Sequence, residues 1–394
     1  MAIKAKTHKK SQTNPLPFPL YFWTVAILAF GGLSASTYLS INHYRNYTDI
    51  GYESFCAISR AINCDTVSQS TYSIFLGMPV AVWGVIGYIF FLLFLPFAWG
   101  KIAEKKRMWP LLFLVSVVFS CISIIYALIS TYYIQSYCIV CMLSYVSNFF
   151  LLYYAWLIRR RFERTGILDG LRRDIGFLWN VRKRCISLFL PFLIGVILAV
   201  ISFPDYWNFA PPPLSADIPK GITEEGYPWI GAENPVLEIM EFTDYQCFQC
   251  KKMHFFLRKL VEKNPEKIRL IHRHFPMDHK YNPIVKESFH VGSGTMALFA
   301  EYAQTQGKFW EMNDILFNVD RQKGTIKIKE LADRVGLDYR ALSYSTRNSI
   351  IRYKVKHDIA IGMKLGINGT PGYVIDGKVY LGQVPPEILS RVLD

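Results

Sequence analysis

Residues 236–254 read VLEIMEFTDYQCFQCKKMH, and this stretch decides the fold of the C-terminal half. The apolar run Val236–Phe242 is suited to a buried strand, and Lys251–Lys263 is helical in character. Cys247 and Cys250 therefore form a C-x-x-C motif after a strand and at the start of a helix. The positive end of a helix stabilises the thiolate of the first cysteine, and the second cysteine, one turn later, can resolve a mixed disulfide. The motif predicts a redox-active pair.

Two other interpretations of this motif stay open, namely half of a zinc site and a structural disulfide. Zinc sites usually combine two such ligand pairs, and residues 215–394 contain no second C-x-x-C and no H-x-x-H. We therefore predict no metal. Ile268–Phe275 predicts a second strand of the same sheet.

The N-terminal half consists of long stretches without Asp, Glu, Lys or Arg. These are residues 20–41, 72–99, 108–158 and, up to Asp205 at its edge, about 185–207. About 20 helical residues cross a bilayer core of roughly 30 Å, so the third stretch must fold back once, near residues 130–136. A signal peptide is the alternative for the first stretch, but no small-x-small site follows it cleanly. The pattern predicts five spans.

The charge distribution indicates a membrane protein rather than a nucleic-acid-binding one. The chain has a formal net charge of +14 and 52% hydrophobic residues. Residues 1–214 carry 19 basic and 8 acidic residues (+11), and the remainder carries 25 and 22 (+3). Of the 19 basic residues, 17 lie on one side of the five predicted spans, and only Arg45 and Arg60 do not. The positive-inside rule then places the C-terminal half outside the cytoplasm, where disulfides persist.

Four further cysteines form two pairs in the N-terminal half. Cys138 and Cys141 form a second C-x-x-C, at the start of the fourth span, where they share one helix face. Cys56 and Cys64 lie in the loop before the second span. The alternatives are simple apolar packing for the first pair and a static disulfide for the second. Cys121 and Cys185 have no partner nearby in sequence, and we assign them no role.

Prolines and glycines between the two halves mark a domain boundary. We predict a membrane domain at 1–203, a linker at 204–234 and an extracytoplasmic domain at 235–394. The fold class expected is an all-α transmembrane bundle, with five spans and a four-helix catalytic core, joined to an α/β thioredoxin-like domain.

The C-terminal half resembles the DsbA branch of the thioredoxin superfamily. The resemblance rests on residues 236–254, on Gly369-Thr370-Pro371 followed by YVIDGKVY, and on the helical GKFWEMNDILF segment, which is similar to that branch's inserted helices. It implies that Cys247 is the nucleophile and that Pro371 is cis and faces the disulfide. It also implies that Glu241 is the buried acid that serves the resolving cysteine as a proton relay.

The whole chain resembles bacterial homologues of vitamin K epoxide reductase. Four charge-free spans, the loop pair, the CIVC motif with Tyr145 after it and the Gly77-Met78-Pro79 entry to the second span carry this resemblance. It implies that Cys138–Cys141 is the catalytic pair, with Cys141 nearest a quinone, and that Cys56–Cys64 is a shuttle pair. Tyr145 and Ser70 are the candidates for quinone contact.

These observations predict a quinone-dependent thiol oxidoreductase. Electrons would pass from reduced exported proteins through Cys247–Cys250, Cys56–Cys64 and Cys138–Cys141 to ubiquinone or menaquinone, or to a vitamin K-type quinone. The expected location is the bacterial inner (plasma) membrane, with no nucleic-acid partner. A reductase or isomerase pathway running in the opposite direction is the alternative enzyme, since the fold alone does not fix electron flow. A membrane-anchored chaperone or a transporter is the alternative from another class.

Overall fold

A computed structural model of the chain describes residues 16–59, 61–99, 108–163, 166–287, 289–319 and 327–392. The chain forms two compact units. One comprises the residues up to Asn46 together with Glu53–Asp205, and the other comprises Tyr47–Tyr52 together with the residues from Tyr206 onward.

The first unit is helical. Its helices and its short hairpin are α1 (Phe18–Thr48), α2 (Cys64–Ser68), β1 (Ile74–Phe75), β2 (Met78–Pro79), α3 (Val80–Phe94), α4 (Trp109–Ile129), α5 (Ile139–Ile158), α6 (Ile167–Asn180) and α7 (Arg182–Ser202). Among the described residues, five helices are long and apolar enough to cross a membrane: Phe18–Thr48, Val80–Ala98, Trp109–Ile134, Ile139–Phe162 and Arg182–Ser202. The five predicted spans are confirmed, and the chain is a membrane protein.

Aromatic side chains fill the core of this unit. Phe91, Trp109 and Leu151, from α3, α4 and α5, are fully buried in one cluster that also includes residues of α1. The turn predicted near residues 130–136 is present, with Gln135 in the left-handed region at φ 56°. The side of the membrane on which each end lies stays a prediction, and the basic segments 4–10 and 101–107 and Arg60 lie outside the described residues.

The basic segment after the fourth span contains a helix that the sequence analysis did not predict. Helix α6 buries Asp174, whose carboxylate accepts the backbone N–H groups of Met108 at 2.7 Å and Leu111 at 3.2 Å. The first N–H groups of a helix have no partner within it, so this carboxylate caps α4.

The second unit is an α/β domain with a six-stranded sheet. Its strands are β3 (Lys220–Ile222), β4 (Pro228–Gly231), β5 (Leu237–Thr243), β6 (Ile268–His274), β7 (Gly372–Ile375) and β8 (Lys378–Leu381), in the order β3-β4-β6-β5-β7-β8. Its helices are α8 (Phe248–Lys263), α9 (Ser293–Thr305), α10 (Phe309–Leu316), α11 (Ile328–Val335), α12 (Tyr339–Ser345), α13 (Ser349–Lys364) and α14 (Pro386–Leu389).

Helix α8 connects the parallel strands β5 and β6, and β7 pairs antiparallel with β5. Parallel neighbours require such a crossover, which brings the C-terminal end of β5 to the start of α8. Helices α9 to α13 lie between β6 and β7 along the chain, which confirms the predicted insertion. The segment predicted as a linker, 204–234, differs from the structure, because it contains β3 and β4. Its many prolines and glycines are not typical of strands, so the two short strands were not predicted.

Candidate active site

Cys247 and Cys250 occupy the first turn of α8. Cys247 is the N-cap residue, and its Sγ accepts the backbone N–H of Cys250 at 3.2 Å. Cys247 retains 9% exposure, whereas Cys250 is completely buried. Burial raises the pKa of the Cys250 thiol well above its usual range. Cys247 is therefore the more accessible sulfur of the two, and it caps the helix.

The cis-proline loop lies against this pair. The Thr370–Pro371 peptide is cis, as expected, and the Thr370 carbonyl oxygen lies 3.5 Å from Cys247 Sγ. On the chain before the motif, buried Asp244 accepts Gln246 N–H at 2.6 Å and Ser293 Oγ at 2.9 Å. Cys247 Sγ thus contacts one backbone group of the cis-proline loop and one of α8.

Glu241 on β5 is buried next to two histidines. Its Oε1 accepts hydrogen bonds from His254 Nδ1 at 2.6 Å and from His272 Nδ1 at 3.0 Å. Burial would raise the pKa of Glu241, but its interactions with His254 and His272 outweigh burial and lower that pKa to about 2. Glu241, His254 and His272 each offer one atom that could bind a metal ion, and these three atoms lie within 4.8 Å of one another. Both ring nitrogens lie at hydrogen-bond distance from the same carboxylate oxygen, Oε1.

The sequence analysis did not identify the two histidines. His254 follows Cys250 by four residues, so helical periodicity alone could have placed it on the same face of α8. His272 is opposite Glu241 in the parallel register of β5 and β6. That register comes from tertiary pairing, and only a strand alignment could have indicated it.

Cys56 and Cys64 form a disulfide, with Cα atoms 5.6 Å apart. Both are buried, in the helical unit. Asp65, the next residue, is buried and accepts Asn46 Nδ2 at 3.0 Å and the backbone N–H of Ser54 at 2.9 Å. The loop is therefore anchored to the end of α1 by a carboxylate beside the disulfide.

The loop disulfide and the helix pair lie in one hydrophobic cluster. Cys56, Cys64, Cys138 and Val140 form its buried part, and Cys141 packs against it. The backbone N–H of Asn63 donates to the Tyr137 carbonyl at 2.9 Å. The residues that follow these two partners in the chain are Cys64 and Cys138. The structure thus brings together the two cysteine pairs that the sequence could only list separately.

Cys138 and Cys141 repeat the geometry of the soluble pair. Cys138 is the N-cap residue of α5, and its Sγ accepts the Cys141 N–H at 3.1 Å. Cys138 is 3% exposed, and Cys141 is partly buried. Both are free thiols, as are Cys247 and Cys250.

Of the residues predicted to contact a quinone, Tyr145 is half-buried on α5, one turn after Cys141. Ser70 is buried, and its hydroxyl donates to the Val67 carbonyl at 2.8 Å, within its own turn. Further along α5, the Asn148 side chain accepts the Tyr88 hydroxyl at 2.7 Å and donates to Ser123 Oγ at 2.9 Å. This polar network joins α3, α4 and α5, and no sequence signal singled it out.

Comparison with known proteins divides the chain in the same way as the fold. Residues 23–156 match the model of the vitamin K epoxide reductase family, and residues 223–394 match a thioredoxin model.

Solved structures resemble the second unit. A thioredoxin-like oxidoreductase from Silicibacter pomeroyi DSS-3 is 27% identical, covers 43% of this chain and 90% of its own, and has a TM-score of 0.36. The thiol-disulfide exchange protein alpha-DsbA2 from Wolbachia pipientis is 19% identical over 42% of this chain and 84% of its own, with a TM-score of 0.34.

Among curated proteins, the Na(+)/H(+) antiporter NhaA of Herminiimonas arsenicoxydans is 23% identical over 236 residues, which is 58% of this chain and 35% of that protein. The chain spans about a third of the length of the curated relatives it matches.

Proposed function

From a chain that joins a vitamin K epoxide reductase family domain (residues 23–156) to a thioredoxin-like domain (residues 223–394), we propose an enzyme that oxidises substrate dithiols and reduces a membrane quinone. The two domains make the chain a thiol–disulfide oxidoreductase. The quinone, the direction of electron flow and the order of the cysteine pairs are the proposed part.

One observation carries the relay. Cys64 and Cys138 each follow a residue of the Asn63–Tyr137 backbone hydrogen bond, and both belong to one buried cluster with Cys56. Thiol–disulfide exchange requires direct contact between sulfurs, so a loop cysteine beside the N-cap of α5 is placed to exchange with it.

Each transfer is the attack of a thiolate on a disulfide. A substrate thiolate opens the Cys247–Cys250 disulfide, and the second substrate thiol releases an oxidised substrate. The Cys247 thiolate then attacks Cys56, and Cys250 completes the transfer and leaves the loop pair reduced. The Cys64 thiolate attacks Cys138, and Cys56 closes the loop disulfide again. Two electrons then reside on Cys138 and Cys141 as thiols.

The residues beside Cys141 fit a quinone. Tyr145 lies one turn further along the same face of α5 and carries a hydroxyl that can donate to a carbonyl oxygen. The exposed side chains of this stretch are apolar: Met142, Leu143 and Val146. A bound ubiquinone, menaquinone or vitamin K-type quinone would take up two electrons and two protons. Ser70 is a weaker candidate, because its hydroxyl already donates to Val67.

The test uses the purified full chain, a reduced dithiol peptide and a short-chain quinone, with quinol formation followed by absorbance. We expect one quinol for each peptide disulfide, and loss of turnover in Cys138→Ser. Cys121→Ser is the matched control, since this cysteine lies in α4 outside the three pairs, and it should retain full turnover. Peptide oxidation without quinol, or a Cys138→Ser variant that still forms quinol, would contradict the proposal.

The opposite direction gives a distinct result in the same assay. If the chain is a reductase, quinol should disappear and a disulfide peptide should become reduced. We favour oxidation because the thioredoxin-like domain is predicted to lie outside the cytoplasm, in the bacterial inner membrane, where its partners would be reduced exported proteins. A reporter fused after Pro213 should accordingly be active only outside the cytoplasm.

The curated relatives named Na(+)/H(+) antiporters do not lead us to propose ion transport. Transporters of ions usually carry ionisable residues within the membrane. Residues 20–41, 72–99 and 108–158 contain no Asp, Glu, Lys or Arg.

A further inference from the structure

The buried face of β6 carries two histidines in line with Glu241. His272 Nδ1 lies 3.0 Å from Glu241 Oε1, and His272 Nε2 lies 3.4 Å from His274 Nδ1. Alternate residues of a strand share a face, so the two rings stand side by side beneath the sheet. Both side chains are buried. The row of polar contacts that begins at Glu241 therefore continues along β6 through His272 to His274.

The outer end of this row approaches solvent. His274 Nε2 lies 3.6 Å from Glu301 Oε1 on α9, and Glu301 Oε2 lies 3.7 Å from Lys354 Nζ on α13. The Lys354 side chain is 41% exposed, whereas that of Glu301 is 5% exposed. A distance of 3.6 Å exceeds a direct hydrogen bond, so a proton would cross it after a small shift of one side chain or through one water.

The inner end has open polar atoms beside the cysteine pair. Glu241 Oε2 and the Tyr373 hydroxyl are buried and have no hydrogen-bond partner among the described residues. Tyr373 is opposite Glu241 in the register of β5 and β7, and it shares a core cluster with Cys247 and Cys250. Burial raises the pKa of Tyr373, and the charges of Glu241, Cys250 and Cys247 raise it further.

The partner of His254 Nε2 indicates on which nitrogen that ring carries its proton. The Tyr245 hydroxyl donates to Asn313 Oδ1 at 3.0 Å, which turns the Asn313 amide nitrogen towards His254 Nε2 at 2.9 Å. His254 therefore carries its proton on Nδ1, towards Glu241. The row of proton donors does not continue beyond His254.

Burial lowers the pKa of His272 and, well below its usual range, that of His274, which favours the form of each ring that carries a single proton. With Nδ1–H on both, His274 donates to His272 and His272 donates to Glu241. Thr243 Oγ1, 3.4 Å from His272 Nε2, can support this tautomer as well. Every donor in the row then points inwards.

We propose that Glu301, His274 and His272 form a proton path that supplies Glu241, and through it the Cys250 thiolate, when the Cys247–Cys250 disulfide is reduced. The three residues are positioning residues that act through Glu241. The inference rests on the proposed function only in that this pair exchanges with substrate thiols.

The proton is needed at one step. When a substrate thiolate attacks Cys247 Sγ, a bond forms between these sulfurs, the Cys247–Cys250 bond breaks, and the electron pair leaves on Cys250 Sγ. Protons then shift inwards from Glu301 to His274, from His274 to His272 and from His272 to Glu241, and Glu241 passes one to Cys250. Solvent returns one proton to Glu301. Because the pKa of Glu241 is about 2 and that of Cys250 is raised by burial, the proton passes through the first and rests on the second.

The path should operate only while Glu301 is protonated. Burial raises the pKa of Glu301 to about 7, with Asp358 adding to the effect and Lys354 opposing it. The titratable and charged groups that interact with Glu301 are His274 on β6, Lys354 and Asp358 on α13, Tyr227 before β4 and Tyr245 after β5.

The test uses the full-length chain with Cys56, Cys64, Cys138 and Cys141 replaced by serine, so that only the Cys247–Cys250 disulfide reacts. Stopped-flow mixing with dithiothreitol gives the reduction rate, divided at each pH by the thiolate concentration. We expect this normalised rate to fall as the pH rises through about 7. In Glu301→Gln, the normalised rate should no longer change with pH near 7. Below pH 7 it should be about tenfold lower than in the unchanged protein, which is the low end of what a general acid contributes. Glu330→Gln, at an exposed site on α11, is the matched control and should keep the step.

A second variant separates proton supply from folding. Lys354→Gln removes the cation that lowers the pKa of Glu301, so the step should move to higher pH without loss of rate below it. An unmoved step in Lys354→Gln would overturn the proposal, as would Glu301→Gln with an intact step. This outcome is independent of the quinone, because the assay contains none; failure of the quinol assay alone would leave the proton path standing.

Discussion

The two C-x-x-C pairs begin their helices in the same way and lie in different surroundings. Cys247 and Cys138 are both N-cap residues, with φ/ψ of −84°/117° and −100°/117°, and each sulfur accepts the N–H of the cysteine three residues on. Cys250 shares its cluster with Tyr373, which interacts electrostatically with both Glu241 and Cys250. Cys138 instead shares its cluster with apolar side chains and the loop disulfide.

This difference indicates a division of tasks. The helix N-terminus activates the first sulfur in both places, since it depends on backbone groups alone. The soluble pair must take up and release protons with each exchange, and it has buried titratable groups for this. In the proposed relay, the membrane pair passes electrons onward beside apolar side chains, where an unpaired charge would be costly.

Removing the second cysteine of each pair tests the comparison most strongly. Cys141→Ser should reduce quinol formation by at least about 10³-fold, because one half of a two-electron pair is lost. It should accumulate a Cys64–Cys138 bridge, detectable by mass spectrometry of non-reduced digests. Cys250→Ser should accumulate Cys247–Cys56 instead, because the Cys247 thiolate opens the Cys56–Cys64 disulfide and no Cys250 thiol is present to release it.

The outcome that would break the comparison is a Cys247–Cys138 bridge with a dispensable loop pair. The Cys56–Cys64 disulfide would then be structural, and the two helix-capping pairs would exchange directly.

The next effect concerns Glu241, the buried acid of the second unit. The pKa of Glu241 is lowered from 4.5 to about 2, so its ionised form stabilises the fold above pH 4.5, and this contribution is lost as the pH falls towards 2. By proton linkage, Glu241→Gln should cost about 3 kcal/mol at pH 6 and much less at pH 3. Denaturant unfolding of the full chain at both pH values measures this. A cost that is equal at pH 6 and pH 3 would contradict the ionised state of Glu241.

A third, smaller effect compares the reactivity of the thiols. In the reduced chain at pH 6, iodoacetamide should label Cys247 at least about tenfold faster than Cys250, because Cys250 is buried and its pKa is raised. The ratio of the labelling rate of Cys138 to that of Cys141 should be smaller, since Cys138 is the more buried of the two. Faster labelling of Cys250 would reverse the assignment of the nucleophile.

The smallest expected effect is at the quinone. Tyr145→Phe should raise the KM for quinone by about threefold, the value of one hydrogen bond at the low end of its range. Ser70→Ala should change it little, because the Ser70 hydroxyl donates to Val67. A larger effect at Ser70 than at Tyr145 would move the proposed quinone contact from α5 to the loop.

Sequence reasoning was most successful where the signal was local. Charge-free stretches predicted the five spans, because a bilayer imposes length and composition directly. The strand–CFQC–helix order predicted the position of Cys247 at a helix start. Both features depend on fewer than about 30 consecutive residues.

The features that sequence reasoning missed depend on long-range pairing. His272 meets Glu241 through a strand register, and Asp174 caps α4 from a helix more than 60 residues away. The strands β3 and β4 join the sheet although their segment is rich in proline and glycine, since β4 gains backbone pairing with β6. Local propensity contains no information about such partners.

The backbone bond between Asn63 and Tyr137 has a kinetic consequence. The bond joins the residues that precede Cys64 and Cys138, so the proposed exchange between these cysteines would be intramolecular, with an effective concentration that does not depend on the amount of enzyme. Dilution should slow the encounter with substrate and leave this exchange at a constant first-order rate. A separate soluble shuttle protein would have to diffuse to its partner, whereas this loop stays bonded to the residue that precedes Cys138.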